Sequence, residues 1–270
     1  MRIKVIVGIL IFVILLGLWS FFVEPKTIKT EQVSIDINNL PLSFKGVKIV
    51  HLSDLHSKNF GEREREILEN LKQLNPEFVF ITGDFVDWIA QDLESCQSFW
   101  KELSANYPQR VFGVLGNHDH RHPKFKTLRN LLKESGIEIL ENETKKIEKD
   151  DCFLYLIGVD DPHEGYDDFE RAVAEIKNQA PKILLAHSPE IFRKVKGKGI
   201  NLVLVGHTHG GQINIPFLTD FFLPLKYDKQ YKSGLFKEKS TYLYVNRGIG
   251  TTFLPLRFNA PPEITLIELR

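Results

Sequence analysis

Five short polar segments in this 270-residue chain carry side chains that bind metals, and each directly follows an apolar run rich in β-branched residues. The apolar runs, at 47–52, 78–82, 111–115, 183–186 and 202–205, predict strands. The polar segments are Asp54-Leu55-His56, Gly83-Asp84, Gly116-Asn117-His118-Asp119, Ala186-His187 and Gly206-His207-Thr208-His209. Strands that end at one edge of a sheet bring their last residues together. The chain is therefore expected to place His, Asp and Asn side chains close in space.

Carboxylate oxygens and imidazole nitrogens together suit hard and borderline divalent ions, and one carboxylate can bridge two ions. Asp84 is the candidate for the bridge. Taken singly, His187 would more often be a hydrogen-bonded structural residue, and Asp54 could cap a helix. The combination favours a metal centre, because the available donors suffice for two ions: Asp54, His56, Asp84, Asn117, His187, His207 and His209.

The motif order DxH, GD, GNHD, a lone His and GHTH resembles that of the calcineurin-like metallophosphoesterase superfamily. The resemblance implies an α/β fold built as a four-layer αββα sandwich, in which two mixed sheets are flanked by helices and both metals lie at one edge. It implies that one ion is held by Asp54, His56, Asp84 and His209. It implies that the second ion is held by Asp84, Asn117, His187 and His207.

His118 matches the non-ligand histidine of the superfamily, which implies that it protonates the leaving oxygen, and Asp119 is a candidate to orient its imidazole. Two ions about 3.5–4 Å apart would stabilise the charge of an in-line displacement at phosphorus. The expected reaction is hydrolysis of a phosphodiester or pyrophosphate by a metal-activated hydroxide. The resemblance favours manganese, although iron, zinc and cobalt accept the same ligands. The chain lacks the phosphate loop of nucleoside triphosphatases and the GxSxG elbow of serine hydrolases.

The uncharged stretch at 5–23 predicts an N-terminal transmembrane helix, since about 20 apolar residues cross a membrane. A cleaved secretory signal is the alternative, but the run is long and lacks a small-x-small cleavage site. Residues 1–23 are interpreted as a membrane anchor, 24–46 as a lead-in strand and linker, and 47–270 as the catalytic domain. Basic residues flank both ends of the helix. Two basic residues lie on each side, and counting the free amino terminus as well favours a single-pass cell-membrane protein with an external catalytic domain.

The anchor, the GHTHGGQ motif and the closing segment 246–263 resemble the membrane-anchored bacterial branch of the superfamily. This leaves a UDP-2,3-diacylglucosamine diphosphatase of lipid A synthesis as an alternative, which would act on a lipid-linked pyrophosphate at the cytoplasmic side. A phosphoprotein phosphatase fits the anchor poorly. A non-catalytic metal-binding interaction module is a further alternative, but no expected ligand is missing from the chain.

Other features bear on the substrate. Lys+Arg and Asp+Glu are equal at 35 each, so no nucleic-acid partner is expected. The apolar stretch 213–225 is interpreted either as core packing or as a rim that meets a bilayer or an acyl chain. Arg247 and Arg257 could bind phosphate or serve structural roles. The two cysteines, Cys96 and Cys152, lack CxxC spacing and are expected to be free thiols.

The remaining pattern predicts the other elements. Helices are expected at 62–74, 93–103, 124–134, 166–178 and 190–195, and further strands at 153–159, 212–215, 241–245 and 263–269. The alternation of Val33, Ile35 and Ile37 predicts a half-buried strand after the anchor. His120 and His122 match no ligand position but lie near the GNHD motif, so they are candidates to touch the substrate, whereas His51 and His163 have no predicted role.

Overall fold

The structure is a computed structural model that describes residues 2–216, 218–221, 223–226 and 228–270. Two six-stranded mixed sheets form its centre. The first sheet has the order β1 (Lys29–Ile35), β12 (Glu263–Leu269), β2 (Lys48–Leu52), β3 (Phe78–Thr82), β4 (Val111–Val114) and β5 (Glu138–Ile139). The second has the order β10 (Gly234–Glu238), β11 (Thr241–Val245), β9 (Leu202–Val205), β8 (Lys182–Leu185), β7 (Cys152–Gly158) and β6 (Glu143–Lys149).

Strands β2, β3 and β4 run parallel in the first sheet, and β7, β8, β9 and β11 run parallel in the second. Parallel strands need crossover connections, which helices supply here. The described helices are α1 (Arg2–Phe22), α2 (Glu62–Leu74), α3 (Leu93–Asn106), α4 (Asn117–Arg121), α5 (Phe125–Glu134), α6 (Phe169–Val173) and α7 (Phe192–Val195).

Three hydrophobic cores separate four layers. In β3, Phe80 faces the core between the sheets, whereas Val79 and Ile81 face the core under α2, α3 and α5. In β9, Leu204 faces the core between the sheets and Val203 faces the core under α6 and α7. Strands buried on both faces are apolar throughout, which explains the continuous apolar runs before the motifs. The predicted αββα sandwich is confirmed.

Helix α1 lies outside these cores. Its side chains are exposed except at the half-buried Leu16 and the buried Ser20, and it is long and apolar enough to cross a membrane. Its end is attached to the closing loop of the chain: the main-chain N–H of Arg257 donates to the carbonyl oxygen of Ser20 at 2.9 Å. The predicted N-terminal apolar helix is therefore present, and the strand predicted from Val33 and Ile35 is β1, which pairs with β12.

Two predicted elements are wrong. The helix expected at 166–178 is shortened to α6, which begins only after Asp168, whose carboxylate caps it by accepting a hydrogen bond from the main-chain N–H of Arg171 at 3.0 Å. The strand expected at 212–215 is a loop with a single bridge from Ile213 to Phe258. Gln212 there has a φ of 54°, outside the β region, which interrupts any strand.

Candidate metal centre

All five polar segments lie at the carboxyl ends of parallel strands, at the same edge of the two facing sheets. The segments after β2, β3 and β4 come from the first sheet, and those after β8 and β9 come from the second. Their side chains meet between the sheets, where three groups of carboxylates and imidazoles have ligand atoms within 4.8 Å of one another. The structure therefore brings the predicted donors together, and almost all of their surface is buried.

Backbone strain is concentrated at these donors. Positive φ values are uncommon outside glycine and cost about 1–3 kcal/mol each where they occur, and they cluster at functional sites. Five of the seven predicted donors adopt them: Asp54 (48°), His56 (43°), Asp84 (53°), His207 (70°) and His209 (51°). The fold therefore holds these residues in costly conformations that aim their side chains at one point.

Two motif glycines allow the strand ends to approach each other. A Cβ atom at Gly116 would overlap Oδ1 of Asp84, and a Cβ atom at Gly206 would overlap Oδ2 of Asp54 and the hydroxyl of Ser53. Only a residue without a side chain permits this approach. The glycine before each of the two His-containing motifs is thus required by packing against a carboxylate of a different segment.

One cluster of donor atoms comprises Asp54, His56 and His209. Nε2 of His56 lies 3.2 Å from Nε2 of His209, which lies 3.3 Å from Oδ1 of Asp54. A zinc-like ion binds imidazole nitrogen at about 2.0–2.1 Å, so two ligands of one ion lie about 3 Å apart. The observed separations fit a single shared cation.

A second cluster surrounds His187. Its Nε2 lies 3.1 Å from Oδ1 of Asn117 and 3.1 Å from Nδ1 of His207. Asp84 lies between the clusters, since its Oδ2 is 3.3 Å from Nε2 of His187 and 3.5 Å from Nε2 of His56. Each cluster therefore contains several donors, and the Asp84 carboxylate lies within reach of both.

Main-chain carbonyls select which nitrogen of two imidazoles faces the centre. Nδ1–H of His187 donates to the carbonyl oxygen of Thr82 at 2.7 Å, and Nε2–H of His207 donates to that of Pro224 at 3.2 Å. In the neutral rings, Nε2 of His187 and Nδ1 of His207 then carry lone pairs. These two nitrogens face each other at 3.1 Å. Only a cation, either a proton or a metal ion, makes that contact favourable.

The charges agree with a cation site. Burial lowers the pKa of His56 to about 3, and burial also lowers the pKa of His209 well below its ordinary value, with the Arg257 charge adding to the effect. Burial alone would raise the pKa of Asp84, but the His187 imidazole holds it well below its ordinary value. Burial lowers the pKa of His187, yet the Asp84 carboxylate raises it more, so its pKa lies well above the ordinary value and the position favours a cation.

His118 lies at the wall of the site. Its main-chain N–H donates to Oδ1 of Asp84 at 2.8 Å, and its ring packs edge-on against His56 with centroids 4.6 Å apart. Its buried Nδ1 has no hydrogen-bond partner among the described residues. His118 also lines the cavity over the donors, where a bound molecule would meet it.

Asp119 has a different environment from the one predicted. Its carboxylate accepts hydrogen bonds from the main-chain N–H groups of Gly116 at 3.0 Å and Val86 at 3.3 Å. It thereby caps the start of α4 and ties this helix to the segment after β3. Burial raises the pKa of this carboxyl to about 7. Within the described residues it makes no hydrogen bond to the His118 imidazole, so the predicted orienting contact is absent.

A cavity of about 320 Å³ opens over the donors. Side chains from several loops line it, among them Asp84, His118, Arg121, His163, His207, Gln212, Thr252 and Phe253. His163 was missed by the sequence reasoning, although its ring lies 4.6 Å from that of His207. A signal was present, because the apolar run of β7 is followed by Asp160-Asp161-Pro162-His163, the same pattern of a strand followed by polar residues.

Other candidates have structural partners. His120 pairs with Asp160 at 2.7 Å, and the buried His122 pairs with the carbonyl oxygen of Ala90 at 2.8 Å, and neither lines the cavity. They are therefore not placed to touch a substrate there, and that prediction is wrong.

Both predicted arginines are also engaged in the fold. Arg247 forms ion pairs with Glu31 and Glu263 at 2.7 and 2.8 Å. Arg257 is fully buried, and its guanidinium donates to the main-chain carbonyls of Arg247, Gly248, Gly250 and Ala260. Of the two roles left open for these residues, the structural one is observed.

The apolar stretch 213–225 adjoins the cavity. Leu218 and Phe221 are exposed, whereas Leu223 and Leu225 are buried. Phe217 and Phe222 of this stretch lie outside the described residues. Core packing is therefore confirmed for Leu223 and Leu225, whereas contact of the exposed part with a bilayer or an acyl chain stays a prediction.

Comparisons with known proteins identify the family to which the chain is similar. A family model described as calcineurin-like phosphoesterase matches residues 47–211. The chain is 32% identical over 257 residues to the uncharacterized metallophosphoesterase YkuE of Bacillus subtilis, covering 93% of this chain and 89% of that protein. It is 31% identical over 267 residues to an uncharacterized metallophosphoesterase of Aquifex aeolicus, covering 95% and 97%.

A third relative, from Danio rerio, is described as a transmembrane protein with metallophosphoesterase domain. It is 30% identical over 277 residues, covering 97% of this chain and 62% of that protein. Among solved structures, TT1561 of Thermus thermophilus aligns with a TM-score of 0.49 and 15% identity over 75% of this chain and 89% of that chain. The family model and the bacterial relatives confirm the resemblance seen in the motifs, and the chain belongs to the calcineurin-like phosphoesterase family, as a metal-dependent phosphoester hydrolase.

Proposed function

We propose that the protein is a membrane-anchored phosphoesterase that binds two divalent metal ions and hydrolyses a phosphodiester or a pyrophosphate. The contact between His187 and His207 supports this most directly. Each ring donates to a main-chain carbonyl, so their other nitrogens meet lone pair to lone pair at 3.1 Å. A metal ion bound by both would make this contact favourable at neutral pH.

The two clusters of donors suggest how the ligands divide. One ion would be held by Asp54, His56, Asp84 and His209, and the other by Asp84, Asn117, His187 and His207. Asp84 is shared because its Oδ2 lies within 3.5 Å of an imidazole in each cluster. When bound, two such ions lower the pKa of a water and stabilise charge on a transferring phosphoryl group. We propose manganese, while iron, zinc and cobalt also suit these nitrogen and oxygen donors.

The protein's own groups would position the substrate and move a proton. His118 reaches the cavity from the start of α4 and is held in place through its main-chain bond to Asp84. We assign it the protonation of the leaving oxygen. Asp119 supports it indirectly by capping α4. Arg121 and His163 line the same cavity and would donate hydrogen bonds to the phosphoryl oxygens.

The anchor would keep this site at a membrane. Helix α1 is exposed along most of its length, and its end is fixed to the catalytic part through Ser20 and Glu24. We propose a single-pass cell-membrane protein with an external catalytic domain, which acts on a phosphoester substrate and has no nucleic-acid partner.

The test uses the full chain purified in detergent, stripped of metal and reloaded with manganese. We expect metal-dependent hydrolysis of bis-p-nitrophenyl phosphate, abolished by Asp84→Ala. Asp92→Ala is the matched control, because Asp92 caps α3 outside the site and its loss should leave activity intact. If the metal-loaded protein hydrolyses no phosphoester, the enzymatic proposal is wrong and a non-catalytic metal-binding module takes its place.

A second candidate is hydrolysis of UDP-2,3-diacylglucosamine, a lipid-linked pyrophosphate. The exposed apolar residues beside the cavity, including Phe221 and Phe253, favour it. Comparison of initial rates on this lipid nucleotide, the diester and phosphopeptides separates the candidates. Preference for the lipid nucleotide would place the active site on the cytoplasmic side, and phosphate release from phosphopeptides alone would indicate a protein phosphatase.

A further inference from the structure

We propose that two loops at the mouth of the cavity, one comprising the described residues 213–216 and 218–221 and the other 251–256, form a second membrane contact beside α1, with apolar side chains that enter the lipid headgroup region. The occupant of this surface is the bilayer that holds α1. The inference rests on the proposed membrane anchoring of that helix. It adds to the anchor a contact that fixes the orientation of the catalytic domain on the membrane.

The exposure of the loops is the first observation. Phe253 is 94% exposed and its neighbour Leu254 is 56% exposed, while Phe221 is 78% and Leu218 is 50% exposed. Grouped apolar side chains on a surface mark contact with a membrane or another partner. Aromatic residues in particular prefer the boundary between lipid and water.

The backbone of Phe253 is the second observation. Its φ is 52°, in the left-handed region that bulky residues rarely adopt. The exposed ring is unfavourable in water, and the backbone conformation that holds it there has a steric cost in any environment. A membrane contact gives the ring an apolar environment and so accounts for an aromatic residue at this position.

The two loops form one surface. The side-chain oxygen of Gln212 accepts from the main-chain N–H of Thr252 at 2.9 Å, and its amide donates to the carbonyl oxygens of Thr252 and Leu254 at 3.0 and 2.9 Å. The main-chain N–H of Asn214 donates to the carbonyl oxygen of Phe258 at 2.8 Å. Gln212 thus links the start of the first loop to the apolar tip of the second.

The position of this surface relative to α1 identifies its partner. Ser20 accepts the hydrogen bond from the main chain of Arg257, and it lies between Trp19 and Phe21, aromatic residues near the end of the apolar helix. This places Arg257 near the lipid–water boundary. Leu254 is three residues away along the chain, at most about 11 Å. The apolar tip therefore lies within reach of the boundary in which α1 ends.

The same surface borders the active site. Gln212, Thr252 and Phe253 line the cavity together with Asp84 and His118. The opposite edge of the sheets carries the amino end of β2 and the exposed Leu42, which is 81% exposed. A membrane contact at the first edge thus turns the cavity mouth toward the bilayer and Leu42 away from it.

The test places an environment-sensitive fluorophore on single cysteines of the full chain in lipid vesicles, with and without lipids that carry a quencher. Cys152→Ser provides the background, since Cys96 is buried. Labels are compared at Phe253→Cys, Phe221→Cys and the matched exposed apolar position Leu42→Cys. Leu15→Cys in α1 reports insertion of the anchor.

We expect the labels at 253 and 221 to shift to shorter emission wavelength in vesicles and to be quenched several-fold more strongly than the label at 42. If the label at position 15 is quenched but the labels at 253 and 221 are quenched no more than the label at 42, the second contact is overturned. The anchor then remains supported. An unquenched label at 15 would overturn the anchoring proposal and this inference together. Hydrolysis of the diester in detergent tests the enzymatic proposal independently of both results.

Discussion

The carboxylate of Glu24 accepts a hydrogen bond of 2.7 Å from the main-chain N–H of Ala260. Glu24 belongs to the turn after α1, and Ala260 lies in the closing loop that also carries the buried Arg257. A guanidinium nitrogen of Arg257 lies 3.4 Å from Nδ1 of His209. The end of the N-terminal helix is therefore attached to the loop that supports the proposed metal centre.

Removal of the Glu24 carboxylate should destabilise the catalytic part. Glu24→Ala leaves a buried main-chain N–H without its acceptor, which costs about 1–3 kcal/mol. Glu24→Gln retains an acceptor oxygen and should lose less. The measurement is the free energy of unfolding in detergent by urea titration. Equal midpoints for wild type and Glu24→Ala would show that this contact does not hold the loop.

The proposed sharing of Asp84 predicts an unequal loss of metal. Asp84→Ala should empty both positions, because the two clusters have this carboxylate in common. His207→Ala should weaken only the position near His187. Metal content per chain, measured by mass spectrometry after dialysis, distinguishes these results. Two ions retained by Asp84→Ala would contradict the bridging role.

The role assigned to His118 predicts a dependence on the leaving group. His118→Ala should lower kcat about 10²–10⁴-fold for substrates whose leaving oxygen needs a proton. For p-nitrophenyl esters, whose leaving group is a weak base, the loss should be smaller. Metal content should stay unchanged, and His120→Ala, which removes a histidine outside the cavity, serves as control. An equal loss for both kinds of ester would indicate a positioning role instead of acid catalysis.

Much of the fold follows from the sequence because buried parallel strands are apolar on both faces. Phe78–Thr82, Leu202–Val205 and Glu263–Leu269 have the predicted bounds. Glu143–Lys149 was not predicted, since only Ile147 of this edge strand is buried and the rest is polar. Its pairing with β7 comes from tertiary context that local periodicity does not encode.

The candidate metal-binding residues could be predicted from the motifs at strand ends. Their backbone conformations and hydrogen-bond partners could not. The positive φ angles of Asp54 and His207, the capping bonds of Asp119 and the burial of Arg257 depend on contacts between distant segments. A single sequence offers no record of such contacts. His163 shows the intermediate case, in which a strand-end pattern was present but matched no motif of the superfamily.

The buried Arg257 provides the last prediction. Burial lowers the pKa of its guanidinium to about 9, so the group still carries a charge at neutral pH, and its donors satisfy main-chain carbonyls of the closing loop. Arg257→Met would leave these carbonyls buried without partners and should cost about 3–5 kcal/mol. Arg129→Met is the control, with a much smaller expected loss because Arg129 is exposed and pairs with Glu141 at the surface.

Arg257 also contacts His209, so its loss should affect the proposed metal centre. Removal of a group that hydrogen-bonds to a metal ligand typically weakens metal binding about 10–100-fold. We therefore expect Arg257→Met to need a higher manganese concentration for half-maximal activity, measured below the temperature at which the variant unfolds. Arg257→Lys should recover part of the stability, because one ammonium replaces only some of the donors. Unchanged manganese dependence in a folded Arg257→Met protein would restrict the role of Arg257 to the loop.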